Sequence, residues 1–152
     1  MGVILVGDGR QRPRLEVLAR RLPGCQLAPR IEDRHELARL LASADALVHG
    51  CEAETFCLVA AEARASGIPL IVPDRGAALD QIVTGAGAIY ESGSEQSLVR
   101  AIGQFLERGP ELQRAAAARS SRVRTMDEHF AALFSRYEQL AGYAPPAAVS
   151  TA

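Results

Sequence analysis

The chain has 152 residues, of which 48% are hydrophobic, and its formal net charge at pH 7 is −1. This length and composition are sufficient for one domain with a hydrophobic core. The balanced charge gives no basic surface that would favour nucleic acid as a partner. No apolar run approaches the roughly 18 residues of a membrane span, and the first residues lead into a strand pattern without a signal peptide. We therefore expect a cytoplasmic protein.

The basic residues and the cysteines exclude several kinds of site. All 17 basic residues are arginine, so the chain has no lysine for the phosphate-binding loop of an NTPase or for a receiver domain. Three cysteines without CxxC spacing, Cys25, Cys51 and Cys57, are typical of reduced cytosolic proteins. A zinc site formed by Cys51, Cys57 and His49 is conceivable, but the spacing does not favour it, and we expect no metal.

Short β-rich runs alternate with helical patterns, which is typical of a parallel sheet covered by helices. Strands are predicted at residues 3–6, 25–28, 45–49, 69–73 and 88–90. The first helix is predicted around Leu15, Leu18 and Leu22, and the second after a capping box of Asp33 and Glu36. Further helices are predicted from Glu54 to Ala65, at residues 77–83 and from Ser94 to a stop at Gly109-Pro110. Two last helical segments follow, and the final one packs Phe130, Leu133, Phe134, Tyr137 and Leu140. The predicted fold class is α/β, a Rossmann-like parallel sheet with helices on both faces. Residues 1–142 form this domain, and we expect residues 143–152 to be a disordered tail.

Glu54 and Glu62, separated by seven residues, lie at the start of one predicted helix. The first N–H groups of a helix have no partners within it and bind anions, and here they belong to Phe56, Cys57 and Leu58. At about 1.5 Å per residue, the two glutamates are roughly 12 Å apart along the axis. That span suits a nucleotide-sugar, with one acid at the sugar and the other at the ribose. On spacing alone, two solvated surface charges explain the pair equally well.

Glycine and polar residues follow several predicted strands, at the edge where parallel α/β sheets bind ligands. These segments are Gly7 to Gly9, Arg30-Ile31, His49 to Leu58 and Asp74-Arg75-Gly76. Gly76 either lets the backbone approach a ligand closely or makes a tight turn, and the turn is the commoner reason for a lone glycine. His49, at a strand end, fits a hydrogen-bonded structural histidine better than a catalytic base.

These residues also carry a resemblance to a known family. The sequences Ala44-Asp45-Ala46-Leu47-Val48-His49, Glu54-Thr55-Phe56-Cys57-Leu58-Val59, Glu62-Ala63, Ala65-Ser66-Gly67-Ile68-Pro69 and Asp74-Arg75-Gly76 resemble the donor-binding domain of the group 1, or family four, retaining glycosyltransferases. Val6-Gly7-Asp8-Gly9 is similar to the glycine turn of that family, and Tyr137-Glu138-Gln139-Leu140 to its closing helix. The resemblance extends to about Gly142 and implies the C-terminal half of a GT-B fold.

The resemblance implies how a nucleoside-diphosphate sugar is bound. Glu54 is the catalytic candidate, because it would contact the transferred sugar or stabilise positive charge at its anomeric carbon. The amides of Phe56, Cys57 and Leu58 would hold the distal phosphate. Glu62 would bind the ribose hydroxyls.

The remaining donor contacts are implied by position in the same way. The backbone of Arg30 and Ile31 would line the base, and Gly7, Gly9 and Gly76 would border the donor. The resemblance implies no cofactor and no metal, because the leaving diphosphate is stabilised electrostatically.

The chain departs from the family pattern in ways that affect its function. Cys57 stands where glycine is usual, Ala77 where a second glycine is common, and Met126-Asp127 where tryptophan is frequent. In the family, an arginine and a lysine that bind the diphosphate lie before the Gly7-Asp8-Gly9 turn, beside a strand that is central in the sheet. The resemblance therefore implies that the chain lacks its first strand and an N-terminal acceptor domain. It would be either a fragment of a longer enzyme or a relative without catalysis.

Three functions remain open. The first is the donor-binding domain of a hexosyltransferase that acts on a saccharide or lipid acceptor. The second is a non-catalytic nucleotide-sugar binding or assembly module, and the third is a sugar-nucleotide epimerase of the same architecture. A dinucleotide-binding dehydrogenase is excluded because Arg10-Gln11-Arg12 follows Gly7-Asp8-Gly9, which breaks the glycine fingerprint.

The expected partners follow from these functions. They are the donor sugar, the acceptor domain and a second copy of the chain. The arginine-rich segment 114–124 is interpreted as a solvated helix face, with weak peripheral contact to anionic lipid head groups at the inner membrane face as the alternative.

Overall fold

The structure, a computed structural model, describes residues 1–120 and 123–142. In this part of the chain, five strands alternate with six helices. The strands are β1 (Val3–Val6), β2 (Cys25–Ala28), β3 (Leu47–Val48), β4 (Leu70–Pro73) and β5 (Gly87–Tyr90). The helices are α1 (Arg12–Ala19), α2 (Arg34–Ser43), α3 (Leu58–Ala65), α4 (Ala77–Gln81), α5 (Glu95–Ala117) and α6 (Met126–Ala141). The predicted disordered tail, residues 143–152, lies outside the described residues.

All strand pairs are parallel, as predicted, but the strands form two sheets rather than one. One sheet has the order β1-β2 and the other the order β3-β4-β5. β1 and β3 do not pair with each other. Within the described residues, β1 pairs only with β2 and β3 only with β4, so each keeps one unpaired edge.

The core is centred on β4, because helices cover both faces of its sheet. Leu70 and Val72 on one face belong to a cluster formed with α2, α3 and α4. Ile71 on the opposite face packs with Tyr90 of β5 and Ala101 of α5. The alternation of side chains along a strand thus places successive residues in two different clusters. The predicted helices on both faces are confirmed for this sheet.

The β1-β2 sheet is covered much less completely. The four residues of β1 are between 39% and 51% exposed, whereas Leu70 and Val72 of β4 are at most 1% exposed. Helix α1 ends at Ala19, so Leu22 lies beyond it, and Leu15 and Leu18 are also exposed. The predicted apolar face of the first helix therefore makes no core.

Two helix boundaries differ from the predictions. Helix α3 begins at Leu58, several residues after Glu54. Helix α5 passes through Gly109 and Pro110 instead of stopping there. It continues because Leu112 in its second half is buried, and packing of this kind outweighs the lost hydrogen bond of one proline. The segment predicted as a separate helix is thus the end of α5.

The cap predicted for α2 is confirmed in part. The Asp33 carboxylate accepts hydrogen bonds from the N–H groups of His35 at 2.7 Å and Glu36 at 3.1 Å. The full reciprocal capping box occurs instead at α6, between Thr125 and Glu128. Backbone and side-chain hydrogen bonds from Thr125 lower the pKa of the Glu128 carboxyl.

Helix α6 has no buried residue, contrary to the predicted packing of its aromatic face. Phe130, Phe134 and Tyr137 follow one another along the helix, with ring centroids 6.2 and 6.4 Å apart, and all three are exposed. The helical spacing was predicted correctly, but the described part of the chain provides no surface that covers this face. None of the described helices combines the length and hydropathy that a membrane crossing needs.

We expect the isolated chain to self-associate, because unpaired apolar strand edges pair with other chains. Light scattering should give an apparent mass above the 16.2 kDa monomer that rises with concentration. Ile4→Lys, which places a charge on β1, should reduce this association. Val99→Lys changes an equally exposed apolar residue on α5 and should leave it unchanged. A stable monomer at all concentrations would contradict the prediction.

Candidate functional site

A cavity of about 440 Å³ lies between the loop that precedes α3 and the start of α6. Its lining consists of Glu54, Thr55, Phe56, Cys57, Leu58, Met126 and His129. The first five come from one loop and the start of α3, and Glu54 is exposed to solvent. The structure therefore brings four of the predicted site residues together around one space, the carboxylate of Glu54 and the residues Phe56, Cys57 and Leu58.

The start of α3 is shaped by Cys57, its N-cap residue. Cys57 has φ 60° and ψ 68°, a left-handed conformation, and is the non-glycine residue with positive φ among the described residues. Its carbonyl accepts hydrogen bonds from the N–H groups of Ala60 at 3.1 Å and Ala61 at 3.2 Å. The N–H groups of Leu58 and Val59 thus lie in the first turn, where a helix leaves donors without helical partners. The predicted anion-binding terminus exists but begins later, so Phe56 precedes it.

Glu54 lies four positions before α3, farther from the helix start than predicted. Glu54 lies on the exposed loop, whereas Glu62 is half-buried within α3. Glu62 lies only four positions after Leu58, or about 6 Å along the helix axis. The predicted axial span of roughly 12 Å is therefore wrong, because the left-handed turn at Cys57 interrupts the helix. Glu62 does not line the cavity that contains Glu54.

Cys57 is packed inside the site rather than exposed to a ligand. The residue is 2% exposed, and its Sγ lies 3.5 Å from Nε2 of His49. Burial is the main cause that raises the pKa of the Cys57 thiol, and the charge of Glu54 adds to this effect, so the thiol is neutral at pH 7. His49 is held in turn by the Tyr90 hydroxyl, which donates to its carbonyl at 2.7 Å. The side chains of Cys57 and His49 therefore support the loop before α3.

The zinc site considered from the sequence is not formed by these residues. Over residues 1–120 and 123–142, no three histidine, cysteine, aspartate or glutamate side chains converge closely enough to hold a metal ion. Cys51 is exposed and Cys57 buried.

Gly76 allows two loops to pack together. It has φ 80°, and a Cβ at this position would overlap the carbonyl group of Glu52. The glycine is thus required by the approach of the Glu52 loop, which leads to Glu54. The close approach at Gly76 is to the protein backbone and not to a ligand. Gly7 and Gly9 have open space around them, and Gly7 has φ 142°.

Arg30 and Ile31 lie next to the glycine turn but outside the Glu54 cavity. The Arg30 N–H donates to Oδ2 of Asp8 at 2.7 Å, and Arg12 donates to Oδ1 of Asp8 at 2.6 Å. Arg12 also donates to the carbonyl oxygens of Gly7 and Ala28, which joins the ends of β1 and β2. Ile31 lines a second cavity, of about 420 Å³, between this sheet and α2.

Two residues of the site were missed by the sequence analysis. His129 was expected only on a helix surface, but it lines the cavity, and its ring centroid is 6.2 Å from that of Phe56. Gln81 is buried behind the loop and donates to the Phe56 carbonyl at 3.0 Å. The sequence signal for Gln81 was its position as a polar residue in a mostly apolar segment, residues 77–83.

Comparison with known proteins places this arrangement in a family. The sequence model of "Glycosyl transferases group 1" matches residues 2–122. A GDP-mannose-dependent alpha-(1-6)-phosphatidylinositol dimannoside mannosyltransferase of Mycobacterium tuberculosis (strain ATCC 25177 / H37Ra) is 32% identical over 133 residues, which are 88% of this chain and 34% of that protein. A GDP-mannose-dependent alpha-mannosyltransferase of Mycobacterium tuberculosis (strain CDC 1551 / Oshkosh) is 42% identical over 80 residues, 53% of this chain and 20% of that protein.

Solved structures show the same fold at low sequence identity. A glycosyltransferase from Rickettsia africae ESF-5 superposes with a TM-score of 0.78 at 18% identity, covering 95% of this chain and 41% of that one. Sucrose-phosphate synthase from Thermosynechococcus elongatus gives a TM-score of 0.76 at 23% identity, covering 93% and 39%. Anabaena Alr3699/HepE in complex with UDP gives 0.70 at 21% identity, covering 94% and 41%.

The lengths and the family match lead to one conclusion. The chain spans about a third of the length of the first of these mannosyltransferase relatives. Its fold is that of part of a GT-B glycosyltransferase, as the resemblance implied. Since the family model covers residues 2–122, the chain belongs to the group 1 glycosyl transferases.

Proposed function

We propose that this chain is the donor-binding domain of a retaining hexosyltransferase that uses a nucleoside-diphosphate sugar. The observation that carries the proposal is the start of α3, which opens beside the cavity containing Glu54. The free N–H groups and the positive end of the helix dipole favour a diphosphate there. The first turn of α3 contains no acidic residue that would compete with the anion.

The two glutamates divide the donor between them in this proposal. Glu54, exposed at the cavity, contacts the transferred sugar or the positive charge at its anomeric carbon. Glu62, half-buried in α3, binds the ribose hydroxyls. The base lies toward Arg30 and Ile31, near the Gly7 turn.

The names of the relatives support a particular donor. The mannosyltransferases that this chain resembles are named as GDP-mannose-dependent, so we propose GDP-mannose as the first donor to test. Other donors stay open, because structures with the same fold were solved with UDP and with UDP-glucose. The reaction as proposed requires no metal, since backbone N–H groups meet the diphosphate.

An acceptor domain completes the enzyme in this proposal, because the first of the matched relatives is about three times as long as the matched region. A saccharide or lipid acceptor would bind between that domain and the Glu54 cavity. The three free cysteines suit a reducing, cytoplasmic compartment. Arg114 and Arg124, both exposed, would provide peripheral contact with anionic lipid.

A non-catalytic nucleotide-sugar binding module is the second candidate function. The observation in its favour is Cys57, which stands where the family usually has glycine, at the start of the helix that would bind the phosphate. A transfer assay separates the two candidates.

The donor site can be tested by calorimetric titration with GDP, UDP and ADP. We expect at least one of them to bind, and Glu62→Ala to weaken its binding by about 1–3 kcal/mol, because ribose hydroxyls lose their acceptor. Glu54→Ala should leave nucleotide binding unchanged, since that carboxylate acts on the sugar. It serves as the matched control.

The proposal fails if a folded sample gives no heat with any of the three nucleotides. Equal losses for the two alanine variants would refute the division of roles between the glutamates.

A further inference from the structure

Gln81 connects the donor loop to the helices behind it. This residue ends α4 and is 7% exposed. Its Nε2 donates to the Phe56 carbonyl at 3.0 Å, and its Oε1 accepts from Nη1 of Arg64 at 2.9 Å. The two partners lie 25 and 17 residues away in sequence, so the side chain joins three separate segments, the loop before α3, α3 itself and α4.

The chemistry of the two partners fixes the direction of the Gln81 amide. A carbonyl oxygen only accepts hydrogen bonds, and a guanidinium group only donates them. The reverse orientation would set two acceptors against each other at Phe56 and two donors against each other at Arg64. An amide therefore fits this position in one orientation, and neither a carboxylate nor an apolar side chain reproduces both bonds.

The hydrogen bond to Phe56 also determines where the next N–H group points. The peptide between Phe56 and Cys57 is trans, so its carbonyl and its N–H point in opposite directions. Gln81 does not line the Glu54 cavity, whereas Phe56 and Cys57 do. With its carbonyl turned toward Gln81, the peptide directs the Cys57 N–H away from Gln81.

We propose that Gln81 is a positioning residue that orients the Cys57 N–H toward the phosphate of the bound donor. The inference rests on the proposed function, because it assumes that this N–H binds a phosphate oxygen. The left-handed conformation of Cys57 contributes to the same arrangement, since it directs the chain from the oriented peptide into α3. Gln81 itself touches no ligand.

The test compares two variants that remove the amide donor in different ways. Gln81→Met keeps the length and suits a buried position, and Gln81→Glu keeps a partner for Arg64 but cannot donate to Phe56 when ionised. Either variant that gives a cooperative thermal transition is sufficient. Gln113→Met is the matched control, because Gln113 also donates from Nε2 to a neighbouring segment, at Oδ1 of Asp45, away from the donor loop.

The readout is the affinity of the full 152-residue chain for GDP and for guanosine, from shifts in NMR spectra of labelled protein. Each Gln81 variant should bind GDP about 5- to 50-fold more weakly than the wild type, the range for one lost hydrogen bond with a stranded partner. Guanosine has no phosphate, so its affinity should stay within about twofold, and Gln113→Met should match the wild type for both ligands.

Three results would overturn the inference. They are GDP affinity unchanged in the Gln81 variants, an equal loss for guanosine, and an equal loss in Gln113→Met. A wild-type chain that does not bind GDP at all would refute the proposed GDP site as well. The two failures are therefore distinguishable.

Discussion

The 152-residue chain on its own should form no glycoside product, even when it binds donor sugar. Departure of the nucleoside diphosphate builds negative charge on its phosphate oxygens, which requires positive charge close by. The N–H groups at the start of α3 supply part of this stabilisation. The arginine and lysine that the family resemblance places before the Gly7 turn are not in this chain, which contains no lysine.

The expected loss in the rate of sugar transfer is large. Removing one preorganised donor typically costs about 10²–10³ in rate, and here two charged groups are missing. The isolated chain also lacks a second wall that would hold the acceptor against the donor and exclude water.

Incubation with radiolabelled GDP-mannose and UDP-glucose, in the presence of mixed lipid and saccharide acceptors, measures this directly. Reproducible product that disappears in Glu54→Ala would contradict the prediction. It would mean that Arg30 or Arg75, both exposed, stabilises the leaving diphosphate instead. Product that persists in Glu54→Ala would come from a contaminating enzyme.

The predictable part of the fold is the part in which local pattern and tertiary packing agree. The run from Leu70 to Pro73 is apolar without interruption, which is typical of a strand buried on both faces, and β4 is fully buried. Asp33 precedes a helical pattern, and its carboxylate caps α2 as expected. In both places the residue types have one favourable structure.

The start of α3 could not be predicted because it depends on an unusual backbone conformation. Cysteine has no preference for the left-handed region, so the signal at Thr55-Phe56-Cys57 was the resemblance alone, in which glycine is usual at the position of Cys57. The role of Gln81 could not be predicted from the sequence either. Its partners Phe56 and Arg64 are distant in sequence, and their hydrogen bonds exist only after α3 and α4 pack together.

The strand pattern alone does not predict how the strands divide between two sheets. A parallel strand pattern predicts a sheet but not its continuity, because pairing requires a neighbour at the right distance. β1 and β3 are each satisfied on one side by β2 and β4. The pattern also cannot distinguish an apolar strand that is covered, such as β4, from an exposed one, such as β1.

Gly76→Ala should destabilise the chain by about 3 kcal/mol and weaken nucleotide binding. The backbone at Gly76, with φ 80° and ψ 176°, is in a region that is essentially restricted to glycine and costs other residues about 1–3 kcal/mol. The added methyl group would also overlap the carbonyl of Glu52, a backbone atom that can move only if its loop moves. Since that loop leads to Glu54 and the start of α3, the N–H groups at the donor site should shift with it.

Gly85→Ala is the control that separates the steric overlap with Glu52 from the cost of the backbone conformation. Gly85 has φ 78°, close to that of Gly76, but a Cβ there would have no neighbouring atom within 4 Å. It should cost only about 1–2 kcal/mol, the usual cost of a left-handed conformation, and leave nucleotide affinity unchanged. Urea unfolding gives the two free energies, and calorimetric titration with GDP gives the affinities. If both variants lose the same stability and bind nucleotide equally well, the contact between Gly76 and Glu52 does not hold the donor loop in place.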